Sequence, residues 1–279
     1  MTFSDVPIER VRQYWDARPC NVKHSPLPVG TRAYFDEVEK RKYFVEPHIP
    51  RFAEFSRWGD KRVLEVGCGI GTDTINFARW GATVAAVDLS RESLKLAVQR
   101  AKACGVNDSI KFHQANAECL TDMVTFADYD LVYSFGVLHH TPNPERALAQ
   151  MAVCVAPGGT LKLMVYHRWS WKALWILATY GKFKFWKMDE LIAQHSEAQT
   201  GCPVTRTYTK RSIRQMVERC GLRVVDARVE HIFPWRIPEY VRYEYVKEWY
   251  FAWMPDWLFR GLEHLFGWHL CVTAERIEE

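Results

Sequence analysis

Short apolar runs alternate with amphipathic segments along the chain between about residues 60 and 166. The apolar runs predict strands, because they are short and are bounded by glycine, proline or other turn residues. We place these strands at 62–66, 83–87, 109–113, 129–135 and 160–166. Between them, helices are predicted at about 72–79, 91–104 and 144–155. Strands separated by helices in this way are typical of a parallel α/β sheet.

The second half of the chain predicts one more helix and two more strands. Thr209 is a suitable N-cap for a helix over about 210–220, since its hydroxyl can accept a hydrogen bond from the first turn. Residues 223–229 and 269–275 have the composition of strands. The sequence therefore predicts seven strands in all.

Two segments, 167–207 and 231–268, remain outside the predicted sheet and hold nine of the 12 tryptophans. Each follows the end of a strand, at the edge where ligands bind in open α/β sheets. We interpret them as one aromatic-rich helical cap over that edge. The aromatic side chains have three explanations: the core of the cap, the wall of an apolar pocket, or an amphipathic surface for a membrane or a partner subunit. The first two are favoured.

The overall composition is that of a globular protein. Of 279 residues, 48% are hydrophobic and 25% are charged, and the net charge of +4 is too balanced to indicate nucleic-acid binding. The eight cysteines form no C-x-x-C pair, which argues against a zinc site or a disulfide framework. The first residues do not have the pattern of a secretory signal, and no apolar run is long enough to span a membrane. We expect a cytoplasmic protein.

A glycine-rich turn follows the first predicted strand. Glu65 precedes three alternate glycines, Gly67, Gly69 and Gly71, and the next strand ends in Asp88. Glycines allow the backbone to turn tightly and to approach a ligand. The spacing differs from the G-x-G-x-x-G dinucleotide fingerprint, which requires a glycine one position later. Asp88 is well placed to accept hydrogen bonds from ribose hydroxyls.

These motifs resemble those of the class I S-adenosylmethionine-dependent methyltransferases, and of their small-molecule branch in particular. The matching segments are 65–71, Asp88, 129–132, 134–140 and 156–160, in that order. The resemblance implies a Rossmann-like, doubly wound sheet of seven strands with the last strand antiparallel. It implies S-adenosyl-L-methionine as the cofactor and S-adenosyl-L-homocysteine as the product.

The resemblance also implies which residues bind the cofactor. Glu65 orients the glycine turn, Asp88 binds the ribose, and Asn116 takes the place where the family often has an aspartate that binds adenine. If the Asn116 contact is weak, Glu118 or a backbone group takes it, and the backbone N–H of Ala117 is a second candidate. The complete predicted set is Glu65, Gly67, Cys68, Gly69, Gly71, Asp88, Leu89, Asn116, Ala117 and Phe135.

The candidate catalytic residues are His139 and Tyr166, which end strands four and five. A histidine can take a proton near neutral pH. The alternative for each is a role in loop or core packing. The predicted acceptor-binding residues, whose alternative is likewise packing or surface exposure, are Tyr34, Tyr43, His139, His140 and His167.

The sequence thus predicts an enzyme that moves a methyl group by in-line displacement to a small thiol or sulfide, or to an apolar ring compound with an N, O or S nucleophile. The alternatives are an RNA-modifying methyltransferase and a non-catalytic cofactor-binding module. The predicted organisation is a helical lid over 1–57, a core over 58–166, 208–230 and 269–279, and the two cap insertions.

Overall fold

A computed structural model describes residues 3–122, 129–196 and 201–277. Its centre is a seven-stranded sheet with the order β3-β2-β1-β4-β5-β7-β6, in which β7 runs antiparallel to both β5 and β6. The predicted fold class is confirmed. The strands are β1 (Arg62–Val66), β2 (Thr83–Asp88), β3 (Ile110–Gln114), β4 (Tyr129–Phe135), β5 (Val155–Tyr166), β6 (Arg223–Glu230) and β7 (His269–Glu275).

Twelve α-helices surround the sheet within the described ranges. They are α1 (Ile8–Ala17), α2 (Arg32–Val45), α3 (His48–Ala53), α4 (Thr72–Arg79), α5 (Arg91–Cys104), α6 (Pro144–Cys154), α7 (Trp171–Tyr180), α8 (Met188–His195), α9 (Lys210–Glu218), α10 (Ile237–Val241), α11 (Trp249–Ala252) and α12 (Asp256–Phe266). Thr209 accepts a backbone hydrogen bond at the start of α9, as the sequence indicated, and Ser90 does the same at the start of α5.

Each face of the sheet is buried, which explains the continuous apolar runs of its strands. Successive residues of a strand point to opposite faces, so Val63 packs with α4 and α5 on one side while Leu64 packs with α6 and α9 on the other. Burial on both sides fixes the register of the central strands and holds their carboxyl ends at one edge.

Strand β5 begins earlier than predicted. The predicted strand starts at residue 160, but the structure begins it at Val155 and continues it through Gly158 and Gly159 with an irregular register beside β4. The backbone of Gly158 donates to the Arg276 carbonyl, and Arg276 donates back to Gly159, each at 3.0 Å. These bonds to the chain after β7 extend the strand pairing through a segment that would otherwise be a loop.

The N-terminal segment is helical. Helix α2 covers Arg32–Val45, and α3 begins directly after Pro47 and contains Pro50. A proline is tolerated in the first turn of a helix, because that turn has no internal acceptor for its N–H groups. Helix α3 ends before Glu54, whose backbone is left-handed, and a 3-10 turn over Phe55–Trp58 follows.

Helical segments follow β5 and β6, in the ranges that we call the two insertions. The first forms α7 and α8, with residues 197–200 outside the described part, and the second forms α10 to α12. Inner residues of α7, such as Ile176 and Leu177, are buried against Met164 and Tyr166 of β5. Among the described residues, no helix is long and apolar enough to cross a bilayer.

Candidate functional site

A cavity opens at the carboxyl ends of β1, β2 and β4, beside the glycine turn. This is the edge of the sheet where the topology brings the predicted cofactor residues together. Seven of the ten line the cavity: Gly67, Gly69, Asp88, Leu89, Asn116, Ala117 and Phe135. His140, which the sequence placed on the acceptor side, also lines it.

A side chain would have different effects at Gly67 and at Gly69, the first two glycines of the turn. A Cβ atom on Gly67 would lie 1.9 Å from a methyl group of Val137, so no larger residue fits there. A Cβ atom on Gly69 would meet nothing within 4 Å, because this residue faces the cavity. Both have positive φ angles, which glycine adopts without strain. Gly67 therefore permits the packing of the turn, and Gly69 leaves room for a ligand against the backbone.

Asp88 lies at the end of β2 with its carboxylate on the cavity. Its two oxygens accept hydrogen bonds from the backbone N–H groups of Gly69 and Ser90, each at 2.8 Å. Burial raises the pKa of Asp88 to about 6, although these two bonds oppose the shift. The carboxylate is therefore held rigidly at the glycine turn and is ionised at neutral pH. Each oxygen keeps a further lone pair that can accept from a ligand hydroxyl.

Three predicted cofactor residues do not line the cavity. The carboxylate of Glu65 accepts from the Thr74 hydroxyl at the start of α4, and its burial raises its pKa to about 8. Cys68 is buried behind the turn, and Gly71 packs against Ala97 of α5. These residues shape the turn from behind.

The lid residues that line the cavity come from α1, which lies within the lid predicted over 1–57, although the prediction named none of its residues. Ile8, Val11 and Trp15 of α1, with Cys20 after it, line the cavity from above the sheet. Three of them have a helical spacing, i, i+3 and i+7, which is a signal for one apolar helix face. The sequence therefore held the information, although the prediction named tyrosines of α2 instead.

Neither tyrosine named for the lid lines this cavity. Tyr34 is fully buried, and its hydroxyl donates to the Val22 carbonyl at 2.8 Å, so its role is packing. Tyr43 donates to Asp73 at 2.9 Å. Lys42 and Tyr133 also donate to the buried Asp73 carboxylate, at 2.7 and 3.0 Å. This cluster ties α2 to the first turn of α4 and so holds the lid on the sheet.

His139 is buried more deeply than its predicted catalytic role requires. It has no exposed surface, and within the described part of the chain neither ring nitrogen has a hydrogen-bond partner. Its ring packs on Tyr166 with 3.6 Å between centroids. Burial holds the pKa of His139 well below its ordinary value and that of Tyr166 well above. At neutral pH both are uncharged, so Tyr166 can donate a hydrogen bond but is a poor base.

The other two histidines assigned to the acceptor side have backbone partners. Nδ1 of His140 lies 2.8 Å from the Val204 carbonyl, and burial lowers the pKa of His140 to about 4. Nδ1 of His167 lies 3.3 Å from the Gly267 carbonyl, where the two insertions meet the sheet. His140 contributes a wall of the cavity, and His167 a contact that fixes the cap.

Three further histidines, which the sequence did not single out, form a buried cluster beside the cavity. His48 of α3 and His269 of β7 are joined by a contact of 2.9 Å between Nε2 and Nδ1. The ring of His231, which follows β6, lies 5.3 Å from that of His48 and 4.9 Å from that of His269. Burial lowers the pKa of all three, that of His231 to about 4. The cluster is therefore neutral at physiological pH.

Glu46 lies at the open end of this cluster. Its Oε1 atom is 3.7 Å from Nε2 of His269, and the carboxyl side chain keeps a fifth of its surface exposed. Burial raises the pKa of Glu46 to about 7, while Lys42 nearby lowers it. Glu46 is thus a carboxyl group whose pKa lies near neutral pH, next to a histidine that contacts Phe135 of the cavity wall.

Phe135 separates the cavity from the histidine cluster. Its side chain lines the cavity, and its ring centroid lies 5.5 Å from that of His269 and 6.0 Å from that of His48. The site therefore has two compartments: an open cleft over the glycine turn and a cluster of buried histidines with Glu46 behind Phe135. Within the described residues, no group of histidine, cysteine or carboxylate side chains is arranged to hold a metal ion.

Known proteins share this architecture. The magnesium protoporphyrin IX methyltransferase of Synechocystis, crystallised with bound SAH, matches with a TM-score of 0.61 and 14% identity over 97% of this chain and 100% of that one. An S-adenosylmethionine-dependent methyltransferase of Mesorhizobium loti matches with a TM-score of 0.56 and 20% identity over 82% and 97%. At these identities the similarity shows the fold.

Two curated relatives match part of the chain. An uncharacterized protein of Synechococcus is 34% identical over 137 residues, which are 48% of this chain and 30% of that protein. The ubiquinone biosynthesis O-methyltransferase of Psychrobacter cryohalolentis is 33% identical over 136 residues, which are 48% and 51% of the two chains. The chain thus spans between 30% and 51% of the length of these relatives.

The profile of the methyltransferase domain family matches residues 38–227, which are more than half of the chain and include the glycine turn, Asp88 and the strand that carries Phe135. The sequence-based resemblance is confirmed by this match and by the shared fold. The chain belongs to the methyltransferase domain family, with the fold of the class I S-adenosylmethionine-dependent enzymes.

Proposed function

We propose that this protein transfers the methyl group of S-adenosylmethionine to a hydroxyl group of an apolar small molecule, with Glu46 as the base. The observation that carries the proposal is the position of Glu46 beside His269, whose ring contacts Phe135 of the cleft wall. The small-molecule methyltransferase class agrees with the family match and with the curated relatives. The hydroxyl acceptor and the base are our inference from this geometry.

The residues of the cleft fit the cofactor. The carboxylate of Asp88 has free lone pairs for the two ribose hydroxyls, and the open space at Gly69 admits a ligand close to the backbone. Asn116 and Ala117 lie on the cleft wall at the end of β3, on the side where an adenine ring would follow the ribose. The Oδ1 atom of Asn116 already accepts from the Glu118 N–H at 3.0 Å, so we assign the adenine contact to this wall as a whole.

The bound cofactor supplies a methyl group that is already electrophilic. The chain must therefore position the acceptor, exclude water and remove the acceptor's proton where there is one to remove. A phenol, with a pKa of about 10, needs a base at neutral pH, whereas a thiol needs little help. A glutamate whose pKa is about 7 is well matched to that task. This match favours a hydroxyl acceptor over a thiol.

The neighbours of Glu46 support its assignment as a base. His269 is neutral and lies within 3.7 Å of the carboxylate, and His48 contacts the far nitrogen of the same ring. A neutral imidazole pair can orient the carboxylate and share the proton that it takes up. Tyr166, held protonated by burial, is placed to donate a hydrogen bond to the acceptor or to complete the pocket wall.

The surroundings of this compartment are aromatic. Phe135, Tyr166 and Trp268 enclose it, and the Tyr166 and Trp268 rings stack with 4.1 Å between centroids. Such walls suit an apolar ring better than a charged substrate. The curated relative named for ubiquinone biosynthesis is an O-methyltransferase, which agrees with an oxygen acceptor.

A radiolabel assay tests the proposal directly. The full chain is incubated with methyl-labelled cofactor and separate panels of phenols, small thiols, amines and tRNA. We expect label in one or more phenols, and we expect Glu46→Gln to abolish most of that transfer while cofactor affinity stays within about twofold of the wild type. Glu92→Gln, at an exposed position of α5, is the matched control and should leave transfer unchanged.

Two results would overturn the proposal. Transfer to thiols or tRNA alone would assign a different acceptor class. Cofactor binding without transfer to any panel would favour a module that binds the cofactor and does not catalyse methylation.

A further inference from the structure

The first cap insertion has many aromatic side chains that are exposed to solvent. Trp186 is 76% exposed and Phe183 is 62% exposed. The set extends into the second insertion at Trp249, which is 73% exposed. We call this set the aromatic face, and it consists of Trp169, Trp171, Trp175, Tyr180, Phe183, Phe185, Trp186, Trp249 and Tyr250. The structure thus departs from the sequence-based preference for cap core and pocket wall.

Ring contacts link parts of the aromatic face and cross between the two insertions. The ring of Trp171 lies 6.2 Å from that of Tyr250, which in turn lies 5.6 Å from Trp249. Within the first insertion, Trp175 contacts Tyr180 and Trp169 contacts Phe185, at 5.9 and 6.2 Å. The exposed rings thus form contacting groups rather than singly scattered residues.

The first half of the first insertion is positively charged. Residues 168–187 contain five basic residues and no acidic one, and the acidic residues Asp189 and Glu190 follow. Lys182, Lys184 and Lys187 are exposed and alternate with the aromatic residues of the segment Lys182–Lys187. The second insertion is nearly balanced, with four basic and five acidic residues in 231–268. The positive charge is therefore concentrated in the stretch 168–187, which carries seven of the nine residues of the aromatic face.

The tip of the first insertion is held in an unusual conformation. Lys182 and Phe183 both have positive φ angles, 45° and 59°, which non-glycine residues rarely adopt. Adjacent bonds stabilise the tip: the Phe183 N–H donates to the Leu177 carbonyl and the Lys184 N–H to the Gly181 carbonyl. The turn therefore presents its lysine and aromatic side chains outward at some conformational cost.

We infer that the aromatic face docks on the surface of a membrane that contains anionic lipids. Tryptophan and tyrosine rings are favoured at the level of lipid headgroups, where an apolar body and a polar edge are both satisfied. Lysines among them bind the negative lipid headgroups, and their aliphatic stems lie along the apolar surface. A second copy of the chain fits less well, because the like charges of two such surfaces would face each other.

The aromatic face includes the outer side of α7, and the inner side of the same helix packs against Tyr166, beside the compartment in which we propose that the acceptor binds. Ala173, Ile176 and Leu177, on the inner side of α7, are buried with Tyr166, while Trp171 and Trp175 of the same helix are exposed. The compartment is therefore about one helix diameter, roughly 10 Å, from the docked surface. This placement points to an acceptor that is itself dissolved in the membrane, an inference that rests on the proposed function.

The docking test needs no turnover, so it is independent of the proposed function. The full chain is cosedimented with vesicles of phosphatidylcholine alone and of phosphatidylcholine with phosphatidylglycerol. We expect binding to the anionic vesicles that weakens with added salt. Reversing the tip charges in Lys182→Glu, Lys184→Glu and Lys187→Glu together should weaken it about tenfold or more. A second variant, Phe183→Ala with Trp186→Ala, should also weaken it.

In the matched control, the charges of three exposed lysines of the sheet domain are reversed by changing Lys95, Lys102 and Lys111 to glutamate. This variant should bind the vesicles like the wild type. All variants should keep the melting temperature of the wild type, since the changed side chains are exposed. The inference is overturned if neither vesicle type binds, or if the tip variants bind as tightly as the control. It is also overturned if the chain sediments as a dimer without lipid and Trp186→Ala makes it monomeric.

Discussion

The imidazole of His48 contacts the imidazole of His269, with 2.9 Å between Nε2 and Nδ1. The first belongs to the N-terminal lid and the second to the last strand of the sheet, 221 residues away. One of the two nitrogens donates and the other accepts, so both rings are fixed in orientation. The contact ties the two ends of the chain together beside Glu46, and it completes a site that no single stretch of the sequence contains.

Glu46 gives the proposed reaction a characteristic pH dependence. A base must be deprotonated to act, and burial raises the pKa of Glu46 to about 7. We therefore expect kcat to rise with pH up to about 7 and to level off above it. In Glu46→Gln, kcat should fall about a hundredfold and lose this dependence, because the amide cannot take up the proton. Steady-state rates between pH 5.5 and 9, a range of about three to four pH units around that pKa, check this.

The same profile distinguishes a base from a merely structural residue. Glu92→Gln should keep the wild-type profile. A Glu46→Gln enzyme whose rate fell but whose pH profile stayed unchanged would assign the titration to another group, and Glu46 would then be a positioning residue.

Asp88 is predicted to control cofactor affinity. Asp88→Ala leaves two ribose hydroxyls without an acceptor, so we expect Kd to rise at least about tenfold, or about 1.4 kcal/mol. Because burial raises the pKa of Asp88 to about 6, wild-type affinity should also fall as the pH drops through about 6, where the carboxylate becomes protonated. Isothermal titration calorimetry measures both effects.

Asp88→Asn serves as the control for the pH effect, since it has no proton to gain over this range. Its affinity for the cofactor should be lower than that of the wild type and should not change as the pH drops through about 6. An unchanged Kd in Asp88→Ala would refute the ribose contact.

Gly69 and Gly105 allow two roles of glycine to be distinguished, the positive φ angle that both adopt and the contact with a ligand that only Gly69 can make. Both have positive φ angles, 54° and 70°, and at neither would a Cβ atom meet anything within 4 Å. Changing either to alanine should therefore cost a similar amount of stability, about 1 kcal/mol. Only Gly69→Ala should weaken cofactor binding, because Gly69 lines the cleft and Gly105 ends α5 elsewhere. Chemical denaturation and calorimetry on the two variants give the comparison, and equal affinities would place the cofactor away from Gly69.

His139 is predicted to act through Tyr166. His139→Ala removes a buried ring that lies 3.6 Å from the Tyr166 ring, so we expect the free energy of unfolding to fall by about 1–3 kcal/mol and turnover to fall more than cofactor affinity. His139→Phe keeps an aromatic ring and should recover much of both. If His139→Phe were stable but inactive, an imidazole nitrogen would have to contact the reacting groups, as the sequence first suggested.

Part of the lid was present in the sequence as a pattern but needed the fold to be interpreted. The spacing of Ile8, Val11 and Trp15 indicates an apolar helix face, yet nothing local shows that this face covers a cofactor cleft. Tyr34 shows the opposite case. Its hydroxyl could contact a ligand, but the side chain is fully buried beside Phe35. Residue type alone does not separate a ligand contact from a packing contact.

The sequence by itself determined the strands and helices between β1 and β5, because periodicity and caps are local properties of the chain. It also determined the glycine turn and Asp88, whose spacing is fixed by one strand–turn–helix unit and the strand beside it. The tertiary structure alone decided that Glu46, His48, His231 and His269 meet behind Phe135 and that the cap exposes its aromatic rings. These outcomes depend on contacts between distant segments, and such contacts leave no periodic signal in any one of them.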